Sequence, residues 1–205
     1  GESITIGAEY RKFNTKDDYL LDLYGDENII KKKLYQYKIS SPSIKITHTE
    51  SVVSDKETPL TAIKNSKDTS MWSCIKSQVN GDSDISLSAG NTGVLLVISK
   101  MILKMMDKVS RPALAGLWPN KKGFTVVLDL GANIECDDKN LVDFAELGSA
   151  LYKSLYKNEK PKVSLLNVGS EEIKGTDILK KSYKRLKNLS GDNNFDFLSQ
   201  IGVLH

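Results

Sequence analysis

The chain has 205 residues, 40% of them hydrophobic, which is enough to bury a sizeable core and excludes a disordered segment. Its 29 basic and 26 acidic residues leave a formal charge of +3 spread along the chain, too balanced for a nucleic-acid footprint. Cys74 and Cys136 form no CxxC pair and only His48 and His205 accompany them, so no zinc-type ligand cluster exists and a reducing cytoplasm is the expected compartment.

The opening GESITIGAEYRK lacks the apolar core of a secretory signal. Tyr19 to Tyr24 reads as a first strand closed by Gly25 and Asp26, and Asn28 to Tyr37 as a short lysine-rich helix. Ile44 to Thr47 alternates like a strand. After the polar stretch Glu50 to Glu57, the pair Thr58 and Pro59 opens a helix through about Asn65. A further helix starts at Asp68 or Thr69 and runs to Val79, stopped by Asn80 and Gly81.

Asp84 to Leu87 is strand-like. It leads through SAGNTG (88–93) into an apolar helix from Val94 to Met106, interrupted by Ser99, Lys100 and Lys104 and too short to span a bilayer. Pro112 to Pro119 and, more plainly, Phe124 to Leu130 read as buried strands. Leu141 to Tyr156 is helical by periodicity, Val163 to Val168 is a buried strand, and Asp177 to Leu189 is a lysine-rich closing helix. This alternation predicts one α/β domain over 1–205, with a largely parallel sheet covered on both faces and no clear linker.

In such sheets ligands gather where strand ends meet helix starts, which selects the turn 88–93, the start of 111–115, the loop 129–135 and the loop 169–177. In the first, Gly90 and Gly93 allow close approach of the backbone, while Asn91 and Thr92 suit a turn and cap that leave N–H groups open to an anion. Short Gly/Asn/Thr turns also join strands to helices that bind nothing. With only three arginines, Arg11, Arg111 and Arg185, bidentate recognition of an anion has few candidates, and Arg111 is the best placed.

The loop DLGANIE ends a strand at Asp129, turns at Gly131 and offers Asn133 and Glu135 to a cleft. The same Asp and Asn equally suit local hydrogen bonds to backbone. Lys174, Gly175 and Thr176 set a cation and a glycine beside a helix start, although a run such as EEIK is commonly a solvated loop. His48 lacks a partner for a catalytic triad and reads as structural, and the run from Lys64 to Met71 reads first as a helix start.

Taken together and in order, HTE at 48–50, KDTSM at 67–71, SAGNTG at 88–93, RPALA at 111–115, DLGANIECD at 129–137 and LLNVGSEEIKGTD at 165–177 closely resemble the bacterial phosphate acyltransferase (PlsX) family. The likeness covers roughly residues 19 to 198. It implies a three-layer α/β/α sandwich similar to that of phosphotransacetylases, within the isocitrate/isopropylmalate dehydrogenase-like class. The implied activity is transfer of a fatty acyl group from acyl carrier protein to inorganic phosphate, giving acyl phosphate for phospholipid synthesis, with no cofactor and no metal. The resemblance also implies a homodimer in the cytoplasm that works at the inner face of the membrane, with no nucleic-acid partner.

On this reading phosphate is itself the nucleophile, so catalysis rests on positioning and on donors aimed at the developing oxyanion. Asn91, Asp129, Asn133 and Lys174 are the candidates for chemistry. Ser88, Gly90, Thr92, Gly93, Arg111, Gly131, Glu135, Gly175 and Thr176 are the candidates for holding phosphate and substrate, with Arg111 alternatively a structural tie.

Against the family pattern, the chain opens in what reads as the helix after a first strand bearing an Asp-Ala-Met-Gly-Gly-Asp turn. Its tail SQIGVLH departs from the Gly-rich continuation expected after Phe195 to Leu198. Asn65, Ser66 and Trp72 stand where relatives often carry basic residues, so contact with an acidic carrier protein is expected to be weaker there. The departures at the two ends keep an alternative open, an inactive remnant that at most binds carrier protein or a partner. A coenzyme A thioester as donor is a third possibility.

Overall fold

The computed structural model describes residues 5–10, 19–157, 159–168, 175–191 and 195–202. The chain divides into two compact units, Gly1–Lys104 and Met105–His205.

The first unit is built on a four-stranded sheet in the order β3-β2-β1-β4, from β1 (Thr5–Tyr10), β2 (Tyr19–Gly25), β3 (Ile44–His48) and β4 (Ile85–Ser88). β2 and β3 are parallel, and β1 runs antiparallel to both β2 and β4. β2, β3 and β4 therefore share one direction, as the alternation predicted, and β1 is the reversed strand among them. The sequence reading placed a helix where β1 lies. The reason is tertiary: the gap between two strands of like direction offers a row of unpaired N–H and C=O groups on each side, and Thr5 to Ala8 satisfies both rows at once.

Three helices begin where these strands end. Asp26 caps α1 (Glu27–Gln36) by accepting from the N–H groups of Asn28 at 2.8 Å and Ile29 at 3.0 Å. Thr69 caps α3 (Ser70–Asn80), whose far end is closed by Gly81 in the left-handed region at φ +78°. Asn91 caps α4 (Thr92–Leu103). The short α2 (Pro59–Asn65) starts on the predicted proline. α3 packs on β1, β2 and β4, and Met71 and Ile75 on it meet Val94 and Ile98 of α4 and Val53 to form the unit's core. The apolar run predicted to stay helical to Met106 ends at Leu103, because Lys104 turns to φ +68°, and Met106 is exposed.

The second unit holds an antiparallel pair, β5 (Gly116–Asn120) with β6 (Gly123–Val127), and a parallel pair, β7 (Lys162–Asn167) with β8 (Asp196–Gly202). α5 (Asp138–Leu155) opens with a reciprocal capping box between Asp137 and Asn140, and α6 (Asp177–Leu189) is capped by Thr176. Val142 of α5, Leu186 of α6, Leu165 of β7 and Phe195 form its core.

Three of the strands expected to be buried are only half so. Leu117, Trp118 and Phe124 on the hairpin are exposed, as are Leu166 on β7 and Leu198 and Ile201 on β8. Continuous apolar runs predict strands covered on both faces. Here α5 and α6 cover one face of the β7–β8 pair, and alternate residues point away from them.

Candidate functional site

The parallel direction of β2, β3 and β4 brings Gly25, His48 and Ser88 to one rim of the first unit, with the caps Asp26 and Asn91 beside them. Thr69 joins this rim, since the chain just past β3 pairs with the start of α3 through a Ser51–Thr69 bridge and a 2.9 Å bond from Ser70 N–H to the Ser51 carbonyl. Three helix N-termini, each a source of positive partial charge, thus face the same way.

At the turn 88–93, Ser88 Oγ accepts from the Gly90 N–H at 3.2 Å and Asn91 Oδ1 accepts from the Val94 N–H at 3.1 Å. The other end of the Asn91 amide donates to the carbonyls of Glu57 at 2.9 Å and Asp55 at 3.3 Å, tying the turn to the segment after β3. Asn91 is therefore committed to cap and clamp. The cap takes the Val94 N–H and leaves those of Thr92 and Gly93 as the open donors of the first turn. Gly93 packs closely, since a Cβ there would lie 3.3 Å from the Pro59 ring.

His48 accepts from the Glu27 N–H through Nδ1 at 3.2 Å, which places its ring proton on Nε2. Three inter-strand spacings separate β3 from β4, about 14 Å, so His48 and the 88–93 turn do not share one bound phosphate.

In the second unit Asp129 organises its own loop. Its Oδ1 accepts from the N–H groups of Leu114 at 2.7 Å and Ala132 at 3.2 Å, and its Oδ2 from Asn133 N at 2.8 Å and Asn133 Nδ2 at 3.1 Å. Burial pushes this carboxyl's pKa up, but the hydrogen bonds outweigh it and hold the group below the usual carboxylate range. Asn133 Nδ2 also donates to the Pro112 carbonyl at 2.8 Å, and Arg111 Nη1 donates to the Glu135 carbonyl at 2.7 Å. The segments 111–114 and 129–135 are thereby laced together. Of the two roles open to Asp129 and Asn133, this geometry realises the local one, and Arg111 ties to a backbone carbonyl rather than to a carboxylate. Gly131 turns at φ +91° in open space, and Ile134 beside it is fully exposed at 102%.

Lys174 lies outside the described residues, as does the rest of 169–174. Gly175 adopts φ +96° against Asn167, and Thr176 Oγ1 caps α6 by accepting from the Leu179 N–H at 3.4 Å. The buried Asn167, the last residue of β7, and the buried Gln200 on β8 were not singled out from the sequence. The available signal was an amide inside the apolar run VSLLNV, which demands a partner. Asp143 was also missed. It is buried, pairs with Lys139 at 2.9 Å and accepts from Ser110, fixing the approach to Arg111.

Neither cysteine is an activated nucleophile: burial pushes both thiols up, for Cys136 with help from the charge of Asp129. Among the described residues no cluster of His, Cys, Asp or Glu is placed to hold a metal ion, and no helix is long and apolar enough to cross a membrane.

Comparison with known proteins agrees with this architecture. A phosphotransacetylase, EutD from Staphylococcus aureus, superposes with a TM-score of 0.59 over 89% of this chain and 59% of its own, at 14% sequence identity, which shows the shared α/β fold. A phosphate acyltransferase from Pelagibacter ubique is 49% identical over 190 residues, covering 93% of this chain and 56% of the relative. One from Maricaulis maris is 38% identical over 188 residues, covering 91% and 53%. The chain spans about half the length of the curated relatives it matches. The family model described as "Fatty acid synthesis protein" matches residues 2–204, and the chain belongs to this family, the one that contains the phosphate acyltransferases.

Proposed function

We propose that the chain serves transfer of a fatty acyl group from acyl carrier protein to inorganic phosphate, forming acyl phosphate for phospholipid synthesis. The observation that carries this reading is the start of α4, where a capped helix leaves the Thr92 and Gly93 N–H groups open at the rim of a parallel strand set. Phosphate binds there. One of its oxygens attacks the thioester carbonyl carbon, the resulting oxyanion collapses, and the thiolate leaves as the new C–O bond is retained. No protein nucleophile enters the sequence of bonds.

Within this scheme Asn91 acts as a positioning residue that holds the turn, while Asp129 and Asn133 hold the 111–114 and 129–135 segments in register. Ser88 and Gly90 shape the turn 88–93, and Gly131 and Glu135 the loop 129–135. Lys174 with Gly175 and Thr176 is assigned to phosphate on the strength of sequence and family. The same family reading assigns a homodimer in the cytoplasm with peripheral contact at the inner membrane face.

The test is phosphate-dependent thiol release from acyl carrier protein thioester by the purified chain, with product trapped as the hydroxamate. Release that rises with phosphate and favours the carrier-protein thioester over the coenzyme A thioester is expected. Equal release without phosphate overturns acyl transfer to phosphate, and preference for coenzyme A overturns the donor.

A further inference from the structure

The charge along α6 is one-sided. Its 13 residues carry Lys180, Lys181, Lys184, Arg185 and Lys187 against a single carboxylate, Asp177. Leu179, Tyr183, Leu186 and Leu189 pack into the second unit's core, which turns the cations outward: Lys181, Lys184, Arg185 and Lys187 are exposed and Lys180 is half-buried. Arg185 is committed to Asp138 at 2.9 Å, and the Lys187 ammonium lies 5.6 Å from the centre of the Tyr183 ring. Among the described residues Lys180, Lys181 and Lys184 form no ion pair, not even with Asp177 one turn away.

On the other long helices the i,i+4 spacing joins opposite charges, Glu27 to Lys31 on α1 and Lys139 to Asp143 on α5. On α6 it sets like charges together, Lys180 with Lys184 and Lys181 with Arg185. Such pairs repel and work against the helix. A partner with clustered negative charge relieves that repulsion, and the field of the stripe steers it to this face.

The stripe has a shape as well as a sign. The helix is about 20 Å long, so an acidic helix laid along it meets Lys181 and Lys184 on adjacent turns, with Ile178, 40% exposed, as an apolar contact one turn earlier. A bilayer is the poorer fit. Helices that lie on membranes bury an apolar face at the acyl boundary, and that face of α6 is already packed against the core around Leu165 and Phe195. An acidic protein needs only the cationic face. Lys184 lies about 12 Å along the helix from Thr176, a gap that the pantetheine arm of a carrier protein bridges to the phosphate assigned to the helix start.

We propose that the exposed face of α6, with Lys181 and Lys184 at its centre, is the docking surface for the acidic acyl carrier protein. The identity of the partner rests on the acyl-transfer reading, whereas the surface is tested by binding without turnover.

Unacylated acyl carrier protein bearing a fluorophore is titrated with the whole chain and followed by anisotropy over a salt series. Saturable binding that weakens as salt rises is expected, and Lys181→Glu with Lys184→Glu should weaken Kd about tenfold or more. Lys32→Glu with Lys33→Glu makes the same change in net charge on exposed lysines of α1 and should stay within about twofold. Glutamate and glutamine form helices about as well as lysine, and Lys181→Gln with Lys184→Gln, which removes charge without reversing it, should fall between wild type and the α6 Glu pair. No saturable binding by the wild type, an equal loss in the α1 and α6 Glu pairs, or no loss in the α6 pair overturns the surface. Binding to phosphatidylglycerol vesicles that the α6 Glu pair abolishes, with carrier binding intact, overturns it in favour of lipid.

Thiol release from the carrier-protein thioester and from an N-acetylcysteamine thioester is measured in parallel. The α6 Glu pair should raise KM for the first about tenfold and leave the second unchanged. A chain that docks the carrier through α6 without phosphate-dependent release removes acyl transfer and keeps the surface. An active chain whose carrier KM ignores the α6 pair does the reverse.

Discussion

The turn before α4 and the loop after β6 are made of similar residues, glycine beside asparagine and a second small polar group, yet they commit their hydrogen bonds differently. At the first, Asn91 satisfies one N–H of α4 and two carbonyls of another segment, and the amides of Thr92 and Gly93 stay open. At the second, the carboxylate of Asp129 collects four donors from its own surroundings, so little of it is left for a ligand. A polar residue at a strand end can reach a ligand by type. Its inventory of partners decides whether it is free to do so.

The largest effect expected from this contrast is at Asp129. Asp129→Ala strands the N–H groups of Leu114, Ala132 and Asn133, and a loss of about 3 kcal/mol is expected in urea unfolding, since several bonds to a charged acceptor vanish together. A loss below about 1 kcal/mol would show that the loop is not built on this carboxylate. The pH dependence has a fixed sign. Because the folded pKa is depressed, the stabilisation is fully present above the unfolded value near 3.9 and is lost as pH falls through the folded pKa. Asp129→Asn should flatten that acid limb while leaving stability flat near neutrality.

Asn91 comes next. Asn91→Ala removes a helix cap and two clamp bonds, and about 2 kcal/mol is expected by the same unfolding measurement. Asn91→Asp separates the two roles, because aspartate caps as well as asparagine but cannot donate to the Asp55 and Glu57 carbonyls. It should keep the helix start and lose about 1 kcal/mol from the clamp. If Asn91→Asp matches the wild type in stability, the clamp contributes nothing and Asn91 is freer for substrate than its contacts indicate.

At Gly175 the constraint is steric as well as conformational, with φ +96° and Asn167 in the way of any Cβ. Gly175→Ala is expected to cost about 1 to 2 kcal/mol. Gly131, at φ +91° with open space around it, carries only the conformational part and should cost about 1 kcal/mol. A larger loss at Gly131 than at Gly175 would contradict the close approach at the Asn167 amide. Both are read by thermal unfolding.

What the sequence made legible follows the range of the interactions involved. Caps and helix starts at Pro59, Thr69, Asn91 and Thr176 rest on contacts within four residues, and each stands where local chemistry puts it. The reversed β1 was not legible, since its place depends on β2 and β4 meeting it from distant parts of the chain. For the same reason the apolar runs Leu117–Trp118 and Leu165–Leu166 predicted strands but not how many faces would be covered. The glycine-bearing turns of the candidate site were readable as turns. Their side-chain partners were not, because Asn133 with Pro112 and Asn167 with Gln200 join residues 21 and 33 positions apart.

The smallest expected effect tests the same contrast at its exposed margin. Arg111 donates to the Glu135 carbonyl from a solvent-exposed position, so the bond competes with water and Arg111→Ala should cost less than about 1 kcal/mol. If Arg111 serves only as a tie, Arg111→Gln, which keeps a donor but no charge, restores most of that loss, and the KM for phosphate in the thiol-release assay stays within about twofold of wild type. If instead the guanidinium meets phosphate, the KM rises tenfold or more in both variants, the equivalent of about 1.4 kcal/mol, while stability barely changes. The stability loss and the KM therefore move in opposite ways under the two roles. The Gln variant distinguishes them because it removes charge without removing the hydrogen bond.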